Sequence, residues 1–290
     1  MHIMNSKNNL LLGFALTVST TACFGQSAWL PSRQEFKVTP GFTYSTFDEF
    51  WAGRTRVGPL KANDESLDQY TGFIGLEYGI LENLAADATI GYSGTSSTMA
   101  LGEGDKGLTD TMLGMRYRLL DENNAPCPFA PTVALRVGGI IPGTYDENTP
   151  FSVGDGAYGF ESSLLFGKAF GTTGFGMYGD IGYRIRENPV PDDLFGSIGV
   201  FQQIAPVTLN VGYRHVQSLS GIDIGGPGFD PGAGPAHGFP ATKEITQLIE
   251  GGVSYTDKGG RIYQVIVAKS IDGRNTGDKF IIGVNATFSF

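Results

Sequence analysis

The chain has 290 residues, of which 43 are glycine and only 17% are charged, and its formal net charge is −9. This length fits one closed barrel or one large domain, and beyond the N-terminal region no apolar run is long enough for a transmembrane helix. The acidic balance argues against nucleic acid as a partner.

The N-terminus has the pattern of a secretory signal peptide. Lys7 precedes the apolar run Leu10–Val18, and small residues continue to Ala22, which is the order of regions found in exported chains. We therefore assign residues 1–25 to a cleaved signal and residues 26–290 to the mature domain.

Two alternatives exist at the end of this signal. Cleavage after Gly25 is favoured over cleavage after Ala22. A lipoprotein signal ending at Cys23 is less favoured, because Thr20 stands where such signals carry a large aliphatic residue. With Cys23 removed, Cys127 is left alone in the mature chain, so an intramolecular disulfide is not expected.

Alternating apolar and small or polar residues predict β-strands along the rest of the chain. The clearest case is Phe280–Phe290, in which every second residue is apolar and those between are mostly small or polar. Similar runs predict about twelve strands, an even number as in single-chain bacterial barrels. The expected spans are 35–46, 68–78, 83–93, 108–120, 130–140, 157–168, 175–186, 194–204, 207–217, 245–256, 262–270 and 279–290.

The predicted connections alternate between short and long. The short ones lie near 81–82, 121–128, 171–174, 205–206 and 257–260, and the long ones near 47–67, 94–107, 141–156 and 218–244. Outer-membrane barrels combine short periplasmic turns with long outer loops. The sequence thus predicts an all-β fold, a transmembrane antiparallel up-and-down β-barrel of about twelve strands in the outer membrane of a Gram-negative-type bacterium.

Aromatic residues at the predicted strand ends fit this orientation. With both termini in the periplasm they fall into two groups, as interfacial girdles do. The periplasmic group is Tyr78, Tyr117, Phe175, Tyr255, Tyr263 and Phe290, and the outer group is Tyr44, Tyr70, Tyr92, Tyr183, Tyr213 and Phe280. Phe288 and Phe290 resemble the terminal signal that the barrel assembly machinery reads, so this machinery and outer-membrane lipid are expected partners.

Charged residues of both signs fall on the face opposite the apolar one. On the lipid face such groups would cost about 2–4 kcal/mol each, so they are expected to point into the lumen. They are Asp87, Arg116, Arg118, Arg136, Glu161, Asp180, Arg184, Arg214 and Glu250. Neighbouring strands are expected to pair Asp87 with Arg116 and Arg118, Arg136 with Glu161, Glu161 with Arg184, and Arg214 with Glu250. Such residues either brace a narrow barrel with ion pairs or line a water-filled path and set its selectivity.

Two long loops have distinct compositions. Ser220–Thr242 is rich in glycine and proline without periodicity, so it is irregular backbone that either folds into the mouth or stands in solvent; we expect the solvated arrangement. Gly143–Asp155 contains several acids, which is only a weak indication of a divalent-cation site.

Signals for catalysis are poor. His215 and Ser218 would be the start of a set like that of the outer-membrane phospholipase, but their spacing puts them on opposite faces of one strand. No cluster of histidine and cysteine suggests a metal, and no phosphate-binding loop is found. We therefore expect neither an enzyme nor a cofactor.

Three stretches resemble an outer-membrane transporter family associated with the meta-cleavage pathway of phenol degradation. They are Gly104–Leu120, Gly138–Gly171 and Gly176–Arg186, and the resemblance is strongest over residues 70–215. Membership implies a barrel that passes small hydrophobic or aromatic compounds, distantly similar to long-chain fatty-acid channels. Unlike those channels, the sequence shows no recognisable N-terminal plug before the first strand.

The function expected from these observations is passive uptake of a small solute across the outer membrane, by diffusion through a lumen that the charged residues filter. The alternative is a closed structural or surface-interaction barrel that acts through its outer loops.

Overall fold

The computed structural model describes residues 27–58, 66–97, 104–125, 127–149 and 152–290. The predicted signal peptide lies outside them and stays a prediction. Within these ranges no helix is long and apolar enough to cross a membrane.

The fold is built from antiparallel strands joined by turns and loops. In the part of the chain that the structure describes, four short 3-10 turns occur, at Gly171–Thr173, Pro231–Ala233, Pro235–His237 and Phe239–Ala241. The strands are β1 (Phe36–Phe47), β2 (Phe50–Ala52), β3 (Thr55–Val57), β4 (Leu67–Leu81), β5 (Leu84–Ser97), β6 (Lys106–Leu108), β7 (Thr111–Leu120), β8 (Thr132–Ile141), β9 (Gly159–Ala169), β10 (Phe175–Arg186), β11 (Asp193–Ile204), β12 (Val207–Ser218), β13 (Ile245–Thr256), β14 (Ile262–Arg274) and β15 (Phe280–Ser289).

Twelve of these strands close into a barrel: β1, β4, β5 and β7 to β15. Each pairs antiparallel with its neighbours along the chain, and β1 pairs with both β4 and β15. Closure satisfies the backbone groups that an open sheet edge would leave exposed to lipid. The predicted all-β barrel, with about twelve strands, is therefore confirmed.

Three short strands lie outside the barrel count. β2 and β3 form a hairpin within the first long outer loop, and β6 pairs with β5. The predicted strand 108–120 is divided at Thr109 and Asp110, and the carboxylate of Asp110 accepts a hydrogen bond from Tyr145.

The two faces of the wall differ as the alternation predicted. Leucine, isoleucine, valine and aromatic side chains are exposed on the outside, for example Ile181 at 63% and Val211 at 51%. Girdle residues meet at equal heights, since Tyr44 lies opposite Tyr70 and Tyr255 lies opposite Tyr263. The inner face carries the buried polar and charged side chains, so these residues face the lumen.

Candidate functional site

A chain of ion pairs runs along the inner wall from β5 to β11. Its centre is Glu161, which is 1% exposed and whose carboxylate accepts hydrogen bonds from Arg136 and from Nε and Nη2 of Arg184, the latter at 3.1 and 3.0 Å. Arg136 also holds Asp87, with 2.7 Å between Nη2 and Oδ2. Arg184 reaches Asp193, with 3.7 Å between Nη1 and Oδ2.

The strand registers explain this chain. Arg184 lies directly opposite Glu161 on β9 and opposite Asp193 on β11. On the other side, Arg116 lies opposite Arg136, and two cations at one level require acids between them. Asp87 supplies one, at 3.4 Å from Nε of Arg116, and Glu77 binds Nη2 of the same arginine.

Most sequence-predicted pairs are brought together, and one is not. Asp87 with Arg116, Arg136 with Glu161, and Glu161 with Arg184 all form. Arg118 does not reach Asp87; it lies at the periplasmic rim, where it donates to the carbonyl of Glu82 at 2.6 Å and pairs with Asp121 at 3.4 Å.

Sequence reasoning missed two members of this chain. They are Glu77 and Asp193, and the alternation of inward and outward residues could have identified both. Glu77 lies on the inward face of β4, two residues after Gly75 and four after Phe73. Asp193 begins β11 and stood one residue before the predicted strand.

A second group lies further around the wall. Nε of Arg214 is 3.5 Å from Oε2 of Glu250, and both residues are buried. Asp180, also buried, accepts a hydrogen bond from the hydroxyl of Ser197. The pair predicted between Arg214 and Glu250 therefore exists as a charge contact.

A cavity of about 110 Å³ occupies the outer part of the lumen. Its charged lining consists of Arg184, Arg186, Arg214, Lys279, Asp110, Asp155, Asp180, Asp193 and Glu244, and its apolar lining includes Met112, Ile140, Phe195, Val216, Phe239, Leu248 and Ile281. Arg186 ties two loops to the wall through Asp110 at 3.2 Å and Asp155 at 3.4 Å. The space therefore combines one apolar surface with charges of both signs.

The long loop between β12 and β13 closes the outer side of this cavity, contrary to the expectation that it stands in solvent. Phe239, Pro240 and Ala241 are buried, and Phe239 and Pro240 line the cavity. The loop returns on itself where Ile222 pairs with Thr242, next to Gly221 at φ 109°, a conformation that suits glycine. Each of the last three 3-10 turns has a proline at its first or second position, and the lumen supplies the apolar surface that buries Phe239.

Asp155 is a titratable group of this mouth with a large pKa shift. Burial raises the pKa of its carboxyl to about 7; Arg186 opposes this effect and the nearby Asp110 adds to it. Its ordinary value is 3.8, so the folded state holds the proton over a range in which the unfolded chain releases it.

Asp155→Asn is therefore expected to become more stable than the wild type as the pH rises. The unfolding free energy of the wild type loses this contribution between about pH 4 and 7, whereas the amide does not titrate. The advantage of the variant should grow across this window and stay level above it, measured by denaturant unfolding at a series of pH values. Asp146→Asn, an exposed acid of the same loop, is the control; an equal pH dependence of both variants would contradict the assignment.

The periplasmic end of the lumen is occupied by the segment Ser27–Leu30. Ala28 is 1% exposed and packs with Ala134 and Leu165 of the inner wall, and the carbonyl of Ser27 accepts a hydrogen bond from Arg116 at 3.0 Å. Sequence analysis found no recognisable plug, because this segment is short and without periodicity.

Trp29 anchors this segment. Its Nε1 donates to Glu122 at 2.8 Å, and its ring meets that of Phe201 edge-on at 5.9 Å. A side chain at Gly167 would collide with the indole, so glycine at that position makes room for it.

The residues considered for catalysis or metal binding are not brought together in the described part of the chain. His215 stacks with Tyr213, whereas Ser218 donates to Asp193 at 2.9 Å, so the two face opposite sides. Among the described residues no group of histidine, cysteine, aspartate and glutamate could hold a metal ion. Cys127 is exposed and free.

The sequence was compared with models of known protein families. The model of the family described as "Putative MetA-pathway of phenol degradation" matches residues 52–289. No curated protein matches the sequence.

Solved structures show the same fold. An outer membrane channel from Pseudomonas putida F1 superposes with a TM-score of 0.70 at 14% identity, over 90% of this chain and 97% of that one. Weaker likenesses are the translocator domain of the autotransporter NalP from Neisseria meningitidis (TM-score 0.47, 13% identity, 90% of each chain) and the toluene transporter TodX of Pseudomonas putida (TM-score 0.40, 11% identity, 96% and 94%). The first of these superpositions shows the fold of an outer-membrane β-barrel.

Proposed function

This chain belongs to the family of the MetA-pathway of phenol degradation, and from this premise we propose that it is an outer-membrane channel for the passive uptake of small hydrophobic or aromatic molecules. The observation that carries the proposal is the cavity in the outer part of the lumen, which has a partly apolar lining and lies under the outer loop that carries Phe239. Mature protein would reach the membrane through its signal peptide and the barrel assembly machinery.

The mixed apolar and charged lining of the cavity supports a channel role. The lining of the cavity is partly apolar, which suits a solute of low polarity, and its charges would filter ions that follow the same path. The resemblance to a channel of Pseudomonas putida is compatible with this role.

The direct test is the single-channel conductance of the refolded mature barrel in a planar bilayer. Reproducible conductance steps would support the proposal. Silence from protein that migrates as a folded barrel would contradict an open channel.

A closed structural barrel is the second candidate, and a specific observation favours it. The ion-pair chain from Asp87 to Asp193 runs along the inner wall at middle depth. Both ends of the lumen are covered, by Phe239 on the outer side and by Trp29 on the periplasmic side. A closed barrel predicts no current in the wild type and none after these covers are removed.

Replacing Arg184 and Arg214 by glutamine is expected to make the channel more cation-selective. Both guanidinium groups line the cavity beside five acids, so their loss leaves an excess of negative charge along the path. The reversal potential under a salt gradient should move toward that of the cation. Arg261→Gln, at an exposed periplasmic turn, should leave it in place. An unchanged reversal potential in the double variant would remove both arginines from the path.

A further inference from the structure

Lys279 is a buried cation of the outer cavity that stands apart from its acid partner. The residue is 2% exposed and lines the cavity. Its Nζ is 3.9 Å from Oε1 of Glu244, which is too long for a hydrogen bond. By contrast, Nζ of the buried Lys168 donates to the carbonyl of Ala130 at 3.0 Å. The ammonium of Lys279 therefore has donors available to a ligand in the cavity.

Arg214 is a second buried cation of the same lining. It is 9% exposed, and in the described parts of the chain neither its Nε nor its Nη2 has a hydrogen-bond acceptor. Its acid partner, Glu250, lies 3.5 Å from Nε. In Arg184 the same two atoms hold Glu161 at 3.1 and 3.0 Å. Buried donors without a partner cost free energy, so an acceptor that enters the cavity would be stabilised beside Arg214.

The two cations lie at one level of the barrel wall. Arg214 is directly opposite Leu248 on β13, and Leu248 is opposite Ser270 on β14. The backbone N–H of Ser270 donates to the carbonyl of Lys279 at 2.9 Å. Three strand spacings therefore separate the two cations, about 14 Å along the wall. Leu248 lies between them and also lines the cavity, so a molecule that rests on this side chain has a cationic donor on either side.

The acids of the cavity are largely engaged by the protein itself. Four of the five accept a hydrogen bond from a side chain: Asp110 from Tyr145, Asp180 from Ser197, Asp193 from Ser218, and Glu244 from Thr246. The hydrogen-bonding capacity left to a ligand is therefore mainly that of the two cations. A ligand complements such a site when it accepts hydrogen bonds and has none to donate.

The charge of the lining favours a neutral acceptor over an anion. The cavity contains five acids against four basic side chains, so no excess of positive charge would compensate an anion for its lost hydration. A carbonyl oxygen is uncharged, has two lone pairs and donates nothing. Apolar side chains on the strands around the two cations, Phe195, Val216, Leu248 and Ile281, would cover the hydrocarbon part of such a molecule.

We propose that the outer cavity is a binding site for small neutral carbonyl compounds, such as cyclic ketones, with Lys279 and Arg214 donating to the carbonyl oxygen. The volume of about 110 Å³ restricts the ligand to a small molecule. The inference rests on the proposed channel function and deepens it by naming a class of solute. It makes the two cations the residues that distinguish a ketone from a hydrocarbon of the same shape.

Equilibrium dialysis of the refolded full barrel in detergent tests this assignment with three probes of similar size. Cyclohexanone carries the acceptor, methylenecyclohexane replaces its oxygen by a methylene group, and cyclohexanecarboxylate carries an anion. Empty micelles correct for the partition of each probe. We expect cyclohexanone to show the largest excess of binding over partition. An equal excess for methylenecyclohexane, or tighter binding of the carboxylate, would overturn the proposal.

Two variants separate recognition of the carbonyl from general packing. Lys279→Met removes the donors, while Glu244 keeps two hydrogen bonds from threonine side chains. Cyclohexanone should then bind about tenfold more weakly, whereas methylenecyclohexane should change little. Arg214→Gln should act in the same way and gives a second reading if the first variant fails to fold, as judged by gel migration.

Lys258→Met, at an exposed turn between β13 and β14, is the matched control and should bind cyclohexanone like the wild type. A weaker affinity for cyclohexanone in either cavity variant supports the site. Unchanged affinity in every cavity variant that folds would overturn it.

Conductance of the same samples distinguishes the two proposals. A barrel that binds cyclohexanone selectively but carries no current would retain this binding site and contradict the channel. A barrel that conducts but does not prefer cyclohexanone would retain the channel and overturn the site.

Discussion

Glu161→Gln is expected to lower the free energy of unfolding of the barrel by about 3–5 kcal/mol, the loss found when one partner of a buried ion pair is removed. The carboxylate of Glu161 is 1% exposed and holds Arg136 and Arg184 together. Without its charge, Arg136 keeps only Asp87, and Arg184 keeps only Asp193 at 3.7 Å. Two guanidinium groups would then face each other across a neutral amide in a part of the lumen that is shielded from water.

Denaturant unfolding of the refolded barrel, followed by the separate migration of folded and unfolded protein on gels, measures this loss. Glu82→Gln, an exposed acid at the first periplasmic turn, removes the same charge and should change stability by less than about 0.5 kcal/mol. The double variant Glu161→Gln, Arg136→Gln should lose less than the sum of the two single changes, because both remove one interaction.

A loss of less than about 1 kcal/mol in Glu161→Gln would contradict this account, since that is the range of solvent-screened pairs. It would mean that water screens the charges around Glu161 in the middle of the lumen.

The barrel could be predicted from sequence because its physical cause is local. Side chains of a strand alternate between lipid and lumen, so Phe280–Phe290 shows its two faces without any knowledge of its neighbours. Short turns then fix the register of adjacent strands. The turn at 171–174 therefore predicted that Arg184 would lie beside Glu161, and in the structure the two residues are directly opposite. The family resemblance agreed with this fold, and the match over residues 52–289 confirms the family.

The covers of the lumen could not be predicted, because nothing local determines them. The loop that carries Phe239 and the segment that carries Trp29 have no periodicity, and the burial of both side chains depends on space provided by distant strands. Their glycines and prolines fix local turns but not the direction in which a turn faces.

These two covers lead to the prediction with the largest effect on transport: the double variant Trp29→Ala, Phe239→Ala should conduct several-fold more than the wild type. Trp29 lies across the periplasmic end of the lumen and Phe239 at its outer end. Obstructions in series act as resistances in series, so removing one leaves the other in control of the current.

Single-channel recordings of both single variants and the double variant test this arrangement. Each single change should raise the conductance modestly, and the double change should exceed the sum of the two gains. Phe129→Ala removes an aromatic side chain that is 80% exposed at a periplasmic link, outside the lumen, and should leave the current unaltered. If one single variant already conducts as well as the double variant, the other side chain does not lie on the path. If the folded double variant carries no current, the ion-pair chain around Glu161 closes the lumen even without these two side chains.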